Sequence, residues 1–101
     1  MTVEHIVWIK FKPGIGPDRI AEHLAALASL PDRVPTIVNL RLGENFTDRA
    51  NGYTHGLIVT FANRASLETY ATHPQHVPIA DALKQDADLL AMDFECSREP
   101  D

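Results

Sequence analysis

The segment VEHIVWIKF, residues 3–11, constrains the fold more than any other part of the chain. Its residues alternate as a β-strand does, and they are rich in β-branched and aromatic types. Yet the alternation does not leave one polar face. His5, Val7, Ile9 and Phe11 share one side, while Ile6 and Trp8 lie on the other. YTHGLIVTF, residues 53–61, repeats the pattern, with Leu57, Val59 and Phe61 opposed to Ile58. A sheet packed on helices needs only one apolar face, so apolar side chains on the second face imply that it too is covered. A second copy related by twofold symmetry is the simplest cover. The expectation is a homodimer whose two sheets face each other.

The remaining segments complete the pattern. Pro13, Gly14, Gly16 and Pro17 punctuate a loop. Residues 18–30 then read as a helix, with Ile20, His23, Leu24, Leu27 and Leu30 at helical spacing and Pro31 as its stop. Residues 35–43 read as a strand with Val38, Leu40 and Leu42 on one face. Asn63 suits the N-cap of a helix over 64–72. Pro74 ends that helix and can open another over about 75–85. LLAMDFEC, residues 89–96, reads as a last strand with Leu90, Met92, Phe94 and Cys96 on one face. The order βαββαβ predicts an α+β protein of ferredoxin-like type, a four-stranded antiparallel sheet with helices on one face. Residues 1–101 fit a single domain.

Charge and composition remove several function classes. Nine basic against fourteen acidic residues give a net charge of −5. Nucleic acid is not an expected partner for so acidic a chain. A single cysteine, Cys96, allows no intrachain disulfide and builds no zinc site alone. The N-terminus lacks a signal-peptide pattern and no run has the length of a membrane span. No membrane association is expected, and the expected location is cytoplasmic.

The chemistry concentrates in YATHPQHVP, residues 70–78. Pro74 pushes His73 out of helical geometry, toward capping the carbonyls at the helix end. The same break lets His76 turn back toward Tyr70. A histidine base beside a phenol suits enolate chemistry, because one takes a proton from carbon and the other holds the oxyanion. The structural alternative is a histidine at a helix end beside a half-buried tyrosine. His73 and His76 lie three apart, but Pro74 separates them and no carboxylate set accompanies them, so no metal or other cofactor is expected. His5 and His55 sit near the starts of strands that pair antiparallel, so they belong at opposite ends of the pair. Tyr53 is expected to share the face of His55, and His23 to be structural. Asp86 and Asp88 are expected in a solvated turn. Asp93 is expected on the dimer side, near Lys10 or Arg41.

HIVWIKFKPG, GYTHGLIVTF, YATHPQHV and MDFE together resemble the stress-responsive dimeric α+β barrel (Dabb) family, in order and over roughly residues 3–95. The resemblance implies the same ferredoxin-like dimer. In a plant polyketide cyclase of the family, a tyrosine and a histidine in the same Tyr-x-x-His-Pro-x-His pattern form the catalytic pair, and they match Tyr70 and His76. Two further histidines of that enzyme match His5 and His55. Around its pocket the match is of residue type, since Pro78 and Ile79 stand where the cyclase has glycine and a bulky aromatic. On this reading Val7, Ile9, Leu57, Val59, Ile79 and Met92 would line an apolar pocket together with His5 and His55. Three functions follow as expectations. The first is a cofactor-independent cyclase, lyase or isomerase acting on a small apolar carbonyl compound. The second is a cofactorless monooxygenase. The third is a non-catalytic stress-responsive homo-oligomer that binds a hydrophobic ligand or none.

Overall fold

A computed structural model describes residues 1–96. Its elements are β1 (Val3–Phe11), α1 (Pro17–Ala28), α2 (Leu30–Arg33), β2 (Ile37–Glu44), β3 (His55–Phe61), α3 (Arg64–Ala71), α4 (Val77–Asp86) and β4 (Ala87–Glu95). The strands form one antiparallel sheet in the order β2-β3-β1-β4. Because β1 is central, its alternation decides what lies on each side. Val3, Val7 and Ile9 are buried with Leu57, Val59 and Phe61 of β3, under Leu27 of α1, Tyr70 of α3 and Leu83 of α4. This is the ferredoxin-like arrangement expected from the order of elements.

Local chemistry sets the joints. Pro13 and Gly14 form a turn closed by the Ile15 amide donating to the Lys12 carbonyl at 3.2 Å, and Gly14 takes the φ of 90° that the turn requires. Pro31 does not simply stop the first helix. The chain leaves α1 at Ala28 and makes one more turn, α2, with Pro31 in its first turn, where a missing N–H breaks no helical bond. Leu30 and Val34 anchor that turn in the core. The Asn63 side chain caps α3 by accepting from the Ser66 amide at 2.9 Å.

Two expected faces are corrected. A register shift between Ile37 and Asn39 leaves Val38 bulged and exposed, so Ile37, Leu40 and Leu42 form the inner face of β2. In β4, Met92 pairs with Ile6 and is 65% exposed on the outer face, so it lines no pocket beneath the helices. Leu89, not Leu90, packs on the core. The richer apolar face of β4 is thus the outer one, where Trp8, Leu90, Met92 and Phe94 lie open in a single chain. Among the described residues no helix is long and apolar enough to cross a membrane.

Candidate active site

Tyr70 occupies the last turn of α3, and its ring drops into the core between helix and sheet with only 1% of its surface exposed. There it meets Phe61 at 5.0 Å and His5 at 5.8 Å between ring centroids. The chain then turns tightly around Pro74. The amide of His76 donates to the His73 carbonyl at 2.9 Å, and His76 becomes the N-cap of α4. That turn returns the His76 ring to Tyr70, with centroids 4.0 Å apart and planes inclined by 33°. The two are therefore in contact at a distance that a separation of six positions alone would not impose.

The electrostatics of the pair follow from burial. Loss of solvent pushes the Tyr70 phenol up to about 12, so it stays a neutral donor at ordinary pH. Burial also lowers the basicity of His76, as do His5 and Lys84, while the Ala71 carbonyl and Asp81 oppose the shift. The ring is therefore neutral near pH 7, the form that can accept a proton. Its Nδ1 lies 3.4 Å from the Ala71 carbonyl oxygen. A carbonyl only accepts, so Nδ1 carries the hydrogen and Nε2 holds the lone pair.

His5 adds a third ring. It stands opposite Asp93 in the β1–β4 register, and its Nδ1 pairs with the Asp93 carboxylate. Asp93 thus lies on the helix side, not beside Lys10 or Arg41 as expected. The result is a continuous line, Asp93–His5–Tyr70–His76, across β4, β1, α3 and the turn into α4. The carboxylate fixes the His5 tautomer, with hydrogen on Nδ1.

The other singled-out residues lie apart from this line. His55 faces Ile9 at the far end of the pair from His5, packs on Phe11 at 5.6 Å, and bonds Thr54 Oγ1 through Nδ1 at 2.8 Å. Tyr53 does not share its face. A turn through Asn51 and Gly52, both at positive φ, lays Tyr53 on Trp8 at 5.9 Å, on the outer side. His73 caps no carbonyl with its ring, because Nδ1 accepts from the Gln75 amide at 3.1 Å. Val7, Ile9, Leu57 and Val59 are packed shut in the core. Ile79 instead lines a cleft of about 270 Å³ between α1 and α4. Asp86 is not in a solvated turn. Its Oδ2 accepts from His23 Nε2 and from Arg19 Nε, both at 2.6 Å, and these bonds hold its carboxyl below the usual range. Among the described residues, no three His, Cys, Asp or Glu side chains gather as a metal-binding set.

Comparisons with known proteins agree with this fold. A family model described as a stress responsive A/B barrel domain matches residues 3–96. Olivetolic acid cyclase of Cannabis sativa is 29% identical over 86 residues, covering 83% of this chain and 85% of that protein. The structure of a hydroxynitrile lyase from Passiflora edulis superposes with a TM-score of 0.89 at 21% identity, covering 98% and 97% of the two chains. A dimeric ferredoxin-like protein of unknown function from Jannaschia gives a TM-score of 0.82 at 28% identity, covering 95% of this chain and all of the other.

Proposed function

Because the chain belongs to the stress-responsive A/B barrel domain family, we propose for it a cofactor-independent enzymatic role, enolate chemistry on a small apolar carbonyl compound. His76 is the base and Tyr70 the oxyanion donor. The observation that carries this reading is the contact of a basic imidazole with a buried, neutral phenol at 4.0 Å. His76 Nε2 takes a proton from a carbon flanked by carbonyls, and the bonding pair moves onto the carbonyl oxygen. Tyr70 O–H donates to that oxygen, in surroundings of low polarity where such a bond is strong. The enolate carbon then attacks a second carbonyl of the same molecule, and His76 returns the proton to the alkoxide formed. His5, oriented by Asp93, stands on the other side of Tyr70 and holds the phenol in place. The similarity to olivetolic acid cyclase supports a cyclisation as the reaction class.

The working unit in this reading is a homodimer. Trp8, Leu90, Met92 and Phe94 form an apolar outer face too continuous to be left in water, and the Jannaschia protein that resembles this chain is described as dimeric.

The close packing of Val7, Ile9, Leu57 and Val59 favours a second reading, a non-catalytic homodimer with no open pocket beneath the helices. A screen of poly-β-keto thioesters and simpler β-dicarbonyl compounds, run on the native chain and on His76→Ala and Tyr70→Phe, separates the two. The enzymatic reading expects turnover that falls by about 10²–10⁴-fold without the base. A His76→Ala variant with the native rate on every substrate turned over refutes it. Oxygen uptake during turnover would instead identify a cofactorless monooxygenase.

A further inference from the structure

One row of the outer face is built unevenly. Trp8 of β1 pairs with Gly56 of β3 on one side and with Leu90 of β4 on the other, and Gly56 pairs in turn with Gly43 of β2. Across the sheet the row runs Gly43, Gly56, Trp8, Leu90, two residues without side chains and then two large ones. The large pair stands in solvent, Trp8 at 41% exposure and Leu90 at 55%. Glycine inside a strand weakens it and marks a place where another group approaches closely. Nothing in the chain itself requires these two. Neither has a positive φ. A Cβ built on Gly43 or Gly56 meets no described residue within 4 Å, the adjoining ones aside. Trp8 therefore does not fold over Gly56 of its own chain, and its ring leans on Tyr53 instead.

The missing side chains leave an open groove of about 480 Å³, in which Ile6, Ile58 and Tyr53 stand beside the two glycines. Arg41, Glu44 and Asn45 give it a polar margin on the β2 side, as the rim of an interface has. A benzene ring needs roughly 150 Å³, so the groove has room for an indole. Symmetry names the occupant. In an isologous dimer residue i meets residue j and j meets i. A twofold axis lying between two facing sheets and parallel to their strands reverses the order of a row. The partner's Leu90 then comes over Gly43 and the partner's Trp8 over Gly56, so large meets small in both directions. Aligned sheets cross by only about 30°, which keeps such a row facing its copy near the axis. An axis along the row itself would set Trp8 against Trp8 and glycine against glycine, a clash beside a void. We infer that the Gly43–Gly56 groove is the socket for Trp8 of a second copy, and that this fit sets how the two sheets are oriented. The inference rests on the dimer reading and is independent of the catalytic one.

Two variants with complementary defects test it. Gly56→Leu fills the socket, and the open space around that position lets the single chain keep its fold. Trp8→Ala removes the group that enters. Each homodimer carries its defect twice, overpacking in one and a void in the other. In a heterodimer of the two, the truncated side chain faces the filled socket and the native Trp8 faces the native glycine. Equimolar mixtures, equilibrated and resolved by native mass spectrometry, should favour the heterodimer about tenfold or more over random pairing. Contacts within one chain give no such preference, because each chain brings them to either dimer. Random pairing of the folded variants, or a mixture that stays monomeric, overturns the inference; random pairing leaves the dimer itself standing. A native chain that sediments as a monomer overturns the dimer reading and this inference together. Trp8 is also the chain's single tryptophan. Its fluorescence should resist iodide quenching several-fold better in the native dimer than in the dilute monomer. Equal quenching in both overturns the inference even if neither variant folds.

Discussion

Removing the second tyrosine turns Tyr70 into its own reporter. The chain has two tyrosines, and Tyr53→Phe leaves Tyr70 as the only phenol. Tyr70 is 1% exposed, and burial alone raises its phenol from 10.0 to about 12. Two units at about 1.36 kcal/mol each correspond to roughly 2–3 kcal/mol of preference for the neutral form. The sign is fixed by linkage. Between pH 10 and about 12 the unfolded chain has lost the proton and the folded one keeps it, so stability falls as pH rises. This contribution is fully present below pH 10 and gone above about 12. The assay is tyrosinate absorbance of Tyr53→Phe against pH, with circular dichroism to show where the fold is lost. The expected result is no tyrosinate signal near pH 10, then ionisation at about 12 or abruptly on unfolding. Tyr70→Phe should retain the packing on Phe61 and His5 and lose this part of the alkaline instability. A smooth titration near pH 10 in the folded protein would refute the burial of the hydroxyl, and with it the picture of a neutral donor poised in a dry site.

Three further outcomes are expected. His76 is less basic folded than unfolded, so just below pH 6.5 the unfolded chain binds more protons and stability rises with pH; urea midpoints across that range should lose this slope in His76→Ala. Single charges on the outer face, Trp8→Glu or Met92→Glu, should convert the proposed dimer to folded monomer in sedimentation, and a dimer unchanged by both would place the interface elsewhere. Asn63→Ala should lower stability by about 1 kcal/mol and Asn63→Gly by only a few tenths, read as urea midpoints at constant m, because glycine tolerates the N-cap and alanine does not.

The order of elements was legible because each signal is local. Period-two alternation marked β1 and β3 to within two residues of their bounds, and Asn63 and Pro74 marked helix ends by chemistry that needs no partner. What failed needed the sheet. Met92 was expected inside because the apolar side of an isolated strand normally faces the core. In this chain the outer face of β4 is the more apolar one, carrying Leu90, Met92 and Phe94. The same two-sided apolar pattern that suggested a second layer thus also disguised which side of β4 faces the helices. The Val38 bulge is a comparable case, since one inserted residue reverses a parity that the letters alone preserve.

The site divides along the same physical line. Tyr70 and His76 are six positions apart, and a proline-broken turn is a local device, so their meeting could be expected from the letters. His5 and Asp93 are 88 positions apart, and His23 and Asp86 are 63 apart. Nothing within either neighbourhood marks the partner. Yet the partner decides the chemistry, because it fixes which nitrogen keeps the proton. Asp93 holds hydrogen on Nδ1 of His5, the Ala71 carbonyl holds it on Nδ1 of His76, and Asp86 holds it on Nε2 of His23. The first two rings therefore offer Nε2 and the third offers Nδ1. In the sequence these three histidines look alike, whereas the fold orients each ring by one acceptor, two of them remote in sequence and one, the Ala71 carbonyl, just across the local turn. Two of those acceptors come from β4 and its junction with α4, the region whose faces were hardest to assign. Register is therefore both what the strand pattern leaves open and what sets proton placement at the site.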